Sequence, residues 1–254
     1  MGTLLARLNG VSVWHGHRRA LDEVDLDLVK GRQVAVLGPS GAGKSTLLRV
    51  LAGEQHPNPG RVEFPLGRPR QGVVRQEPLL FEWLTVAENV ALGQTLKANT
   101  ADPALVAELL GLLGIADVAS SYPDQISGGQ AQRAAFARAL AIAPDLLLLD
   151  EPFSALDPAT RTDLQSWLVD TLAERGLTSV LVTHDIDEAL VLADDIVLVN
   201  RGRVAHRWDN TARADGEASA HRHPLRAAIR AAYGSDWEPG DEEFSGPAPR
   251  SVHA

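Results

Sequence analysis

The stretch Gly38-Pro-Ser-Gly-Ala-Gly-Lys-Ser45 constrains this chain of 254 residues more than any other. Its spacing is G-x-x-x-x-G-K-S. It follows Gln33-Val-Ala-Val-Leu37, an apolar run of buried-strand length. It leads into Ser45-Thr-Leu-Leu-Arg-Val-Leu51, where Leu47, Val50 and Leu51 recur at helical spacing. Glycines at 38, 41 and 43 let the backbone curl so that successive N–H groups converge, and the helix start adds its positive dipole end. Convergent donors of this kind suit phosphate oxygens. Lys44 is expected to reach the β- and γ-phosphates of a nucleoside triphosphate, and the Ser45 hydroxyl to ligate Mg²⁺. Pro39, Ser40, Ala42 and Thr46 complete the expected nucleotide-contacting stretch. A glycine turn without ligand is the competing reading. The Lys-Ser pair and the strand-to-helix context weigh against it.

Elsewhere strands alternate with helices. Val11-Ser-Val13 and Val24-Asp-Leu-Asp-Leu28 read as short strands, the second with period-two alternation. Residues 85–143 carry helical patterning, interrupted near Asp102-Pro103, Gly114 and Pro123. Leu146-Leu149 reads as a buried strand. A further β-α-β stretch follows: Ser179-Thr183, a helix over residues 186–193, then Ile196-Val199. Asn200-Arg-Gly202 signals a tight turn before Val204. This order predicts an α/β fold with a mostly parallel sheet and helices on both faces. The helical stretch at 85–143 is expected to be an inserted subdomain. After about Trp208 the composition turns polar and small; one short helix over residues 223–233 and a disordered acidic end are expected.

Two further motifs carry chemistry. Leu146-Leu-Leu-Leu149 ends in Asp150-Glu151, which places two carboxylates at the sheet's carboxyl edge, where such folds bind ligands. Asp150 is expected in the Mg²⁺ shell, and Glu151 as the base that polarises the attacking water. Two acids after a strand are by themselves more often a solvated turn; the glycine loop upstream favours catalysis. Ser127-Gly128-Gly129-Gln130, followed by Gln132-Arg133, can cap a helix whose inner face holds Phe136, Ala139 and Leu140. Its exposed N–H groups offer a second anion site, although a lone Ser-Gly-Gly is usually only a cap.

Taken together, these motifs resemble the ATP-binding subunits of ABC transporters over about residues 4 to 207. The signature motif there commonly begins with Leu, where this chain has Ile126. The resemblance implies a RecA-like phosphate-loop NTPase core with N-terminal antiparallel strands, forming a nucleotide-binding domain over residues 1–207 and leaving residues 208–254 as a tail. It implies that Ser127, Gly128, Gly129 and Gln130 meet the ATP held by a second subunit, in a head-to-tail homodimer that sandwiches two ATP molecules. Gln76 matches the Q-loop glutamine, linking Mg²⁺ and attacking water to the helical subdomain. Asp157, in Ser154-Ala-Leu-Asp157, matches the loop that crosses the dimer, and His184 the switch histidine that contacts the γ-phosphate. An aromatic ring, usually Tyr, stacks on adenine in that family; ungapped comparison puts His15 there with Trp14 adjacent, so either ring is a candidate. Arg75 stands where many relatives carry Phe.

Composition narrows the partners. A net charge of −9 argues against a broad nucleic-acid footprint, and zero cysteines exclude disulfides and thiolate chemistry. No apolar run approaches the length of a spanning helix, and no secretory signal is seen. With no span of its own expected, the resemblance implies a place at the cytoplasmic face of a membrane, held peripherally by permease subunits and served indirectly by an extracytoplasmic solute-binding protein. Leu80-Phe-Glu-Trp83-Leu-Thr-Val86 resembles importer ATPases for nitrate, aliphatic sulfonates or taurine, with Glu82 in place of the usual Pro. Sulfonate or taurine is the first expectation and nitrate the next. The alternatives are another small solute, such as a thiamine precursor, or a soluble ABC ATPase acting on nucleic acid or ribosomes.

Overall fold

The computed structural model describes residues 2–96 and 99–235. The expectation of a disordered acidic end falls largely on residues outside that range.

Two sheets organise the chain. β1 (Leu4–His15) and β2 (Arg18–Val29) form an antiparallel hairpin, and β4 (Arg61–Glu63) joins the other side of β1. In β2 the alternation seen in sequence is structural: Val24, Leu26 and Leu28 are buried, while Glu23, Asp25 and Asp27 face water. The main sheet contains β3 (Gln33–Leu37), β5 (Gln71–Val74), β6 (Leu146–Asp150), β7 (Thr178–Val182), β8 (Asp195–Asn200) and β9 (Arg203–Asp209). Their order is β5-β6-β7-β3-β8-β9, parallel throughout except for β9, which runs antiparallel to β8. β3 and β7 are buried along their whole length, which is why Val34–Leu37 and Val180–Val182 read as apolar runs.

Helices cover both faces, as the alternation of elements predicts. α1 (Lys44–Ala52) leaves the glycine loop and stops at Gly53, whose left-handed backbone closes the last turn. α1 shares one core with both sheets: Leu47 and Leu51 cluster with Val34, Val36, Leu148 and Val182 of the main sheet and with Leu8 and Leu26 of the antiparallel one. α2 (Val86–Ala91), α3 (Pro103–Leu112) and α4 (Gly128–Leu140) lie in sequence between β5 and β6. Thr85 with Glu88 and Ser127 with Gln130 form capping boxes at α2 and α4, and Asp102 caps α3. Phe136 of α4 stacks on Phe153 with centroids 5.9 Å apart, in a second core that also takes in Leu149, Leu181 and Leu168 of α5 (Pro158–Arg175).

The third core lies under α6 (Ile186–Leu192), α7 (Glu217–Ala220) and α8 (Pro224–Ser235). Ile229 and Ala232 of α8 are buried with Leu37 of β3, Leu198 of β8 and Leu190 of α6. Past residue 207 the chain thus returns to the sheet that carries the glycine loop.

The sequence undercounts the strands. β1 and β2 run to 12 residues each because the polar stretch around Gly16-His17 is a tight hairpin, pairing Trp14 with Arg19 and His15 with Arg18. β4 and β5, of three and four residues, are too short to show a period and are held by the strands they pair with.

Candidate active site

β3, β6 and β7 end at the same sheet edge and bring their following residues together. β3 delivers the glycine loop. Gly38 packs against the neighbouring strand so closely that a Cβ would lie 2.2 Å from the Val199 carbonyl oxygen. Gly43 adopts φ 108°, and a Cβ there would lie 2.3 Å from the Ala20 carbonyl oxygen. Glycine is required at both positions by backbone contact.

Lys44, only 6% exposed, donates from Nζ to the carbonyl oxygens of Gly38 at 2.8 Å and Pro39 at 3.0 Å. Burial lowers its pKa, while the charges of Glu151 and Asp150 pull it back up. Nearby, the Ser45 hydroxyl donates to Asp150 Oδ1 at 3.1 Å. Burial raises the Asp150 pKa against the pull of that hydrogen bond and of the Arg75 charge.

Glu151 turns the chain out of β6 with φ 46°, a left-handed conformation rare for a residue with a side chain. Its N–H donates to Val182 O at 2.9 Å, so the turn is clamped to the end of β7. Two residues further along that strand's exit, His184 is exposed and places Nδ1 3.3 Å from Glu151 Oε2. The two candidates for the chemical step, 33 residues apart, are therefore neighbours in space.

A cleft of about 390 Å³ joins Ser40, Lys44, Ser45, Thr46, Gln76 and Glu151. Its other wall is the β1–β2 hairpin, which contributes His15 and Arg18. His15 Nε2 sits 3.4 Å from Thr46 Oγ1. Trp14 is not among the residues lining this cleft; its ring lies under the Arg19 guanidinium, 4.5 Å from the centroid. Of the two rings considered from sequence, His15 is the one beside the loop. Arg18 was not singled out by the sequence. It donates to Gly41 O at 3.0 Å and brings a cation to the cleft wall. Arg75 forms an ion pair with Glu54 just past α1.

Ser127, Gly128, Gly129, Gln130 and Asp157 do not line the cleft. Ser127, Gly128 and Asp157 are exposed. These two loops adjoin one another: a Cβ on Gly129 would meet Thr160 Cγ2 at 3.2 Å, and Asp157 accepts from the Thr160 N–H at 3.1 Å.

The donor set fits Mg²⁺. Ser45 Oγ and Asp150 Oδ1 are hard oxygens already 3.1 Å apart, with Gln76 on the same cleft. No group of three or more His, Cys, Asp or Glu side chains able to hold a metal is found among the described residues. Mg²⁺ needs none, because it is held by one or two protein oxygens together with substrate phosphates and water.

Comparison with known proteins agrees with this geometry. The family model described as ABC transporter matches residues 21–154. The chain is 46% identical over 223 residues to the sulfate/thiosulfate import ATP-binding protein CysA of Synechococcus elongatus, covering 81% of this chain and 64% of that protein. It is 44% identical over 226 residues to the aliphatic sulfonates import ATP-binding protein SsuB of Mycobacterium avium, covering 87% of this chain and 89% of that one. Among solved structures, the ATP-binding cassette MJ0796, a dimer in a post-hydrolysis state bound to ADP and Pi, superimposes with a TM-score of 0.74 at 32% identity, covering 81% of this chain and 99% of that one. With its glycine loop, paired carboxylates and histidine on one sheet edge, and with these relatives, the chain belongs to the ABC transporter family of ATP-binding cassette ATPases.

Proposed function

We propose that this chain is the ATP-hydrolysing subunit of an importer for oxidised sulfur anions, with aliphatic sulfonates ahead of sulfate or thiosulfate. The observation that carries the hydrolytic reading is the meeting of Lys44, Ser45, Asp150, Glu151, His184 and Gln76 at one sheet edge. The preference for sulfonates rests on the SsuB relative being matched over nearly its whole length, whereas the CysA relative extends well beyond this chain. Solute identity is not carried by the ATP cleft itself, and nitrate is retained only as a test solute.

In the proposed reaction, Ser45, Asp150 and Gln76 would hold Mg²⁺, which would supply charge neutralisation to the phosphates. Lys44 exchanges its two loop carbonyls for phosphate oxygens, and the loop N–H groups hold the triphosphate in place. Glu151 accepts the proton of the attacking water, and His184, 3.3 Å away, faces the γ-phosphate and steadies the carboxylate. His15 stacks on the adenine. Gln76 couples the cleft to the helices of residues 85–143, which we take as the inserted subdomain of a nucleotide-binding domain spanning residues 1–207.

The exposure of Ser127, Gly128 and Asp157 supports a site shared between two copies. Each copy offers its own cleft and, through α4 and its neighbouring loop, the cover for the other's cleft. Leu79, Phe81 and Trp83 form an exposed apolar patch just past Gln76, with Trp83 72% exposed and its ring 5.0 Å from that of Phe81. We assign this patch to a permease's cytoplasmic helix, which places the subunit at the cytoplasmic face of the membrane and links it indirectly to a solute-binding protein. No described helix is long and apolar enough to cross a membrane.

The test is reconstitution in vesicles with the permease and solute-binding protein encoded beside this chain. Hydrolysis should rise on adding an alkanesulfonate or taurine to the loaded side. Stimulation by sulfate or thiosulfate alone would move the substrate to the second choice. Stimulation by none of these or nitrate, but by an amino acid or thiamine precursor, would overturn the solute class and leave the motor intact.

A further inference from the structure

Gly38 opens the nucleotide loop and is buried, so its N–H needs a partner inside the protein. That partner comes from 195 residues away: the N–H donates to the hydroxyl of Tyr233 at 2.8 Å. On its other side, Gly38 accepts at its carbonyl from Lys44 Nζ, also at 2.8 Å. One residue thus connects the C-terminal helix to the lysine expected to grip phosphate.

Tyr233 is held in place by the packing of α8. Ile229 and Ala232 are buried against β3, β8 and α6, and the Tyr233 ring packs on the same cluster. At the other end of the helix, Arg226 makes two hydrogen bonds to the Asp187 carboxylate of α6, at 2.7 and 3.0 Å. That pairing holds the Asp187 pKa low. Burial raises the Tyr233 pKa against the opposing pull of the Gly38 hydrogen bond, and the charge of Glu151 adds to the rise, so the hydroxyl stays protonated and lies within electrostatic reach of the candidate base.

We infer that Tyr233 is a positioning residue for nucleotide binding: α8 presents its hydroxyl to fix Gly38, and so sets the entrance of the loop that Lys44 and Ser45 depend on. The inference rests on the proposed ATPase activity. The Tyr233 hydroxyl acts through its hydrogen bond from the Gly38 N–H. Loss of the hydroxyl leaves a buried N–H unpaired and lets the loop entrance shift. Because the loop holds phosphate in the ground state and the transition state alike, the effect belongs on KM rather than kcat.

The experiment is Tyr233→Phe in the full chain, measured beside wild type for steady-state hydrolysis, MgADP binding and thermal unfolding without nucleotide. Phe keeps the ring and its packing. The expected result is a rise of about fivefold in KM and in the MgADP dissociation constant, with kcat within twofold and a melt lowered by about 2–4 °C, the cost of one unpaired buried N–H. Unchanged KM and MgADP affinity, or a lowered melt with normal KM, would overturn the inference, the latter by making Tyr233 a packing residue only. Arg226→Ala, which frees the other end of α8, gives an independent reading. It should raise KM in the same direction, and the double variant should be no worse than Tyr233→Phe alone; additive effects would count against a shared route. Wild type that fails to bind MgADP would instead remove the nucleotide reading of the loop, a result distinct from a variant that binds as wild type does.

Discussion

Glu188 offers a prediction whose size can be worked from its surroundings. It lies on α6, four residues beyond His184, and is only 6% exposed. The Thr183 hydroxyl donates to its Oε2 at 2.6 Å and itself accepts from the Asp185 N–H at 3.0 Å. Gln165 Nε2 approaches Oε1 at 3.4 Å. Burial pushes the Glu188 pKa from 4.5 up to about 7; Asp185 adds to the rise, while the Thr183 hydrogen bond, Arg161 and His184 oppose it. The folded state therefore keeps a proton that the unfolded chain releases. Stability from this group is complete below about pH 4.5, falls as pH climbs to about 7 and is level above that. At about 1.4 kcal/mol per pKa unit, the ionised carboxylate costs about 3 kcal/mol at pH 8.5 and about 1 kcal/mol at pH 5.5. Glu188→Gln keeps the shape and the acceptor for Thr183, and Gln165 can turn its amide to accept from the new NH₂. The variant should exceed wild type in stability, and the margin should widen by about 2 kcal/mol between pH 5.5 and 8.5. Denaturant titrations at the two pH values measure it directly. A margin that does not change with pH, or a variant less stable than wild type at pH 8.5, would refute the reasoning.

Three further outcomes are expected. Glu151→Gln should still bind MgATP yet lose about 10²–10⁴-fold in turnover, and size-exclusion chromatography with ATP should show it accumulating as a dimer; wild-type turnover would remove Glu151 from the base role. A Lys44→Ala chain mixed with a Gly129→Asp chain should recover activity absent from either alone, because one composite site of the mixed dimer is intact; no recovery in confirmed mixed dimers would argue against a shared site. Trp83→Ala should keep basal hydrolysis and the melt of wild type while weakening permease capture by about 2 kcal/mol or more, and loss of folding would make the residue part of the core instead.

Most of the fold was legible because its strands announce themselves. The run 33–37 matches β3, since a strand buried on both faces is apolar along nearly all of its length, here Val34 to Leu37 after the hydrogen-bonded Gln33. β6 and β7 fell within a residue of their expected limits for the same reason. The β1–β2 hairpin is legible only at Val11–Val13 and Val24–Leu28, because register shifts between Leu4 and Ala6 and between Leu8 and Val11 break the period-two pattern of β1, and the hairpin tip from His15 to Arg19 is polar. Strands β4 and β5 owe their form to their neighbours rather than to their own residues.

The residues of the cleft were legible where local spacing encodes them, and silent where the third dimension supplies them. Gly38 to Thr46 form a contiguous code, and Asp150-Glu151 is marked by the strand before it. Arg18 has no such mark: it reaches Gly41 only because the hairpin folds its tip over the loop. The C-terminal helix shows the same limit more sharply. Its sequence, Pro224-Leu-Arg-Ala-Ala-Ile-Arg-Ala-Ala-Tyr233, signals one amphipathic helix and nothing about what it covers. Only the fold reveals that the apolar side carrying Ile229 and Ala232 returns to β3, the strand that delivers the nucleotide loop. Once that face is docked, the tyrosine one residue beyond Ala232 meets the first glycine of the loop, so the hydrogen bond follows from the docking. A segment that composition sets apart from the catalytic unit is, in three dimensions, one of the walls that shape it.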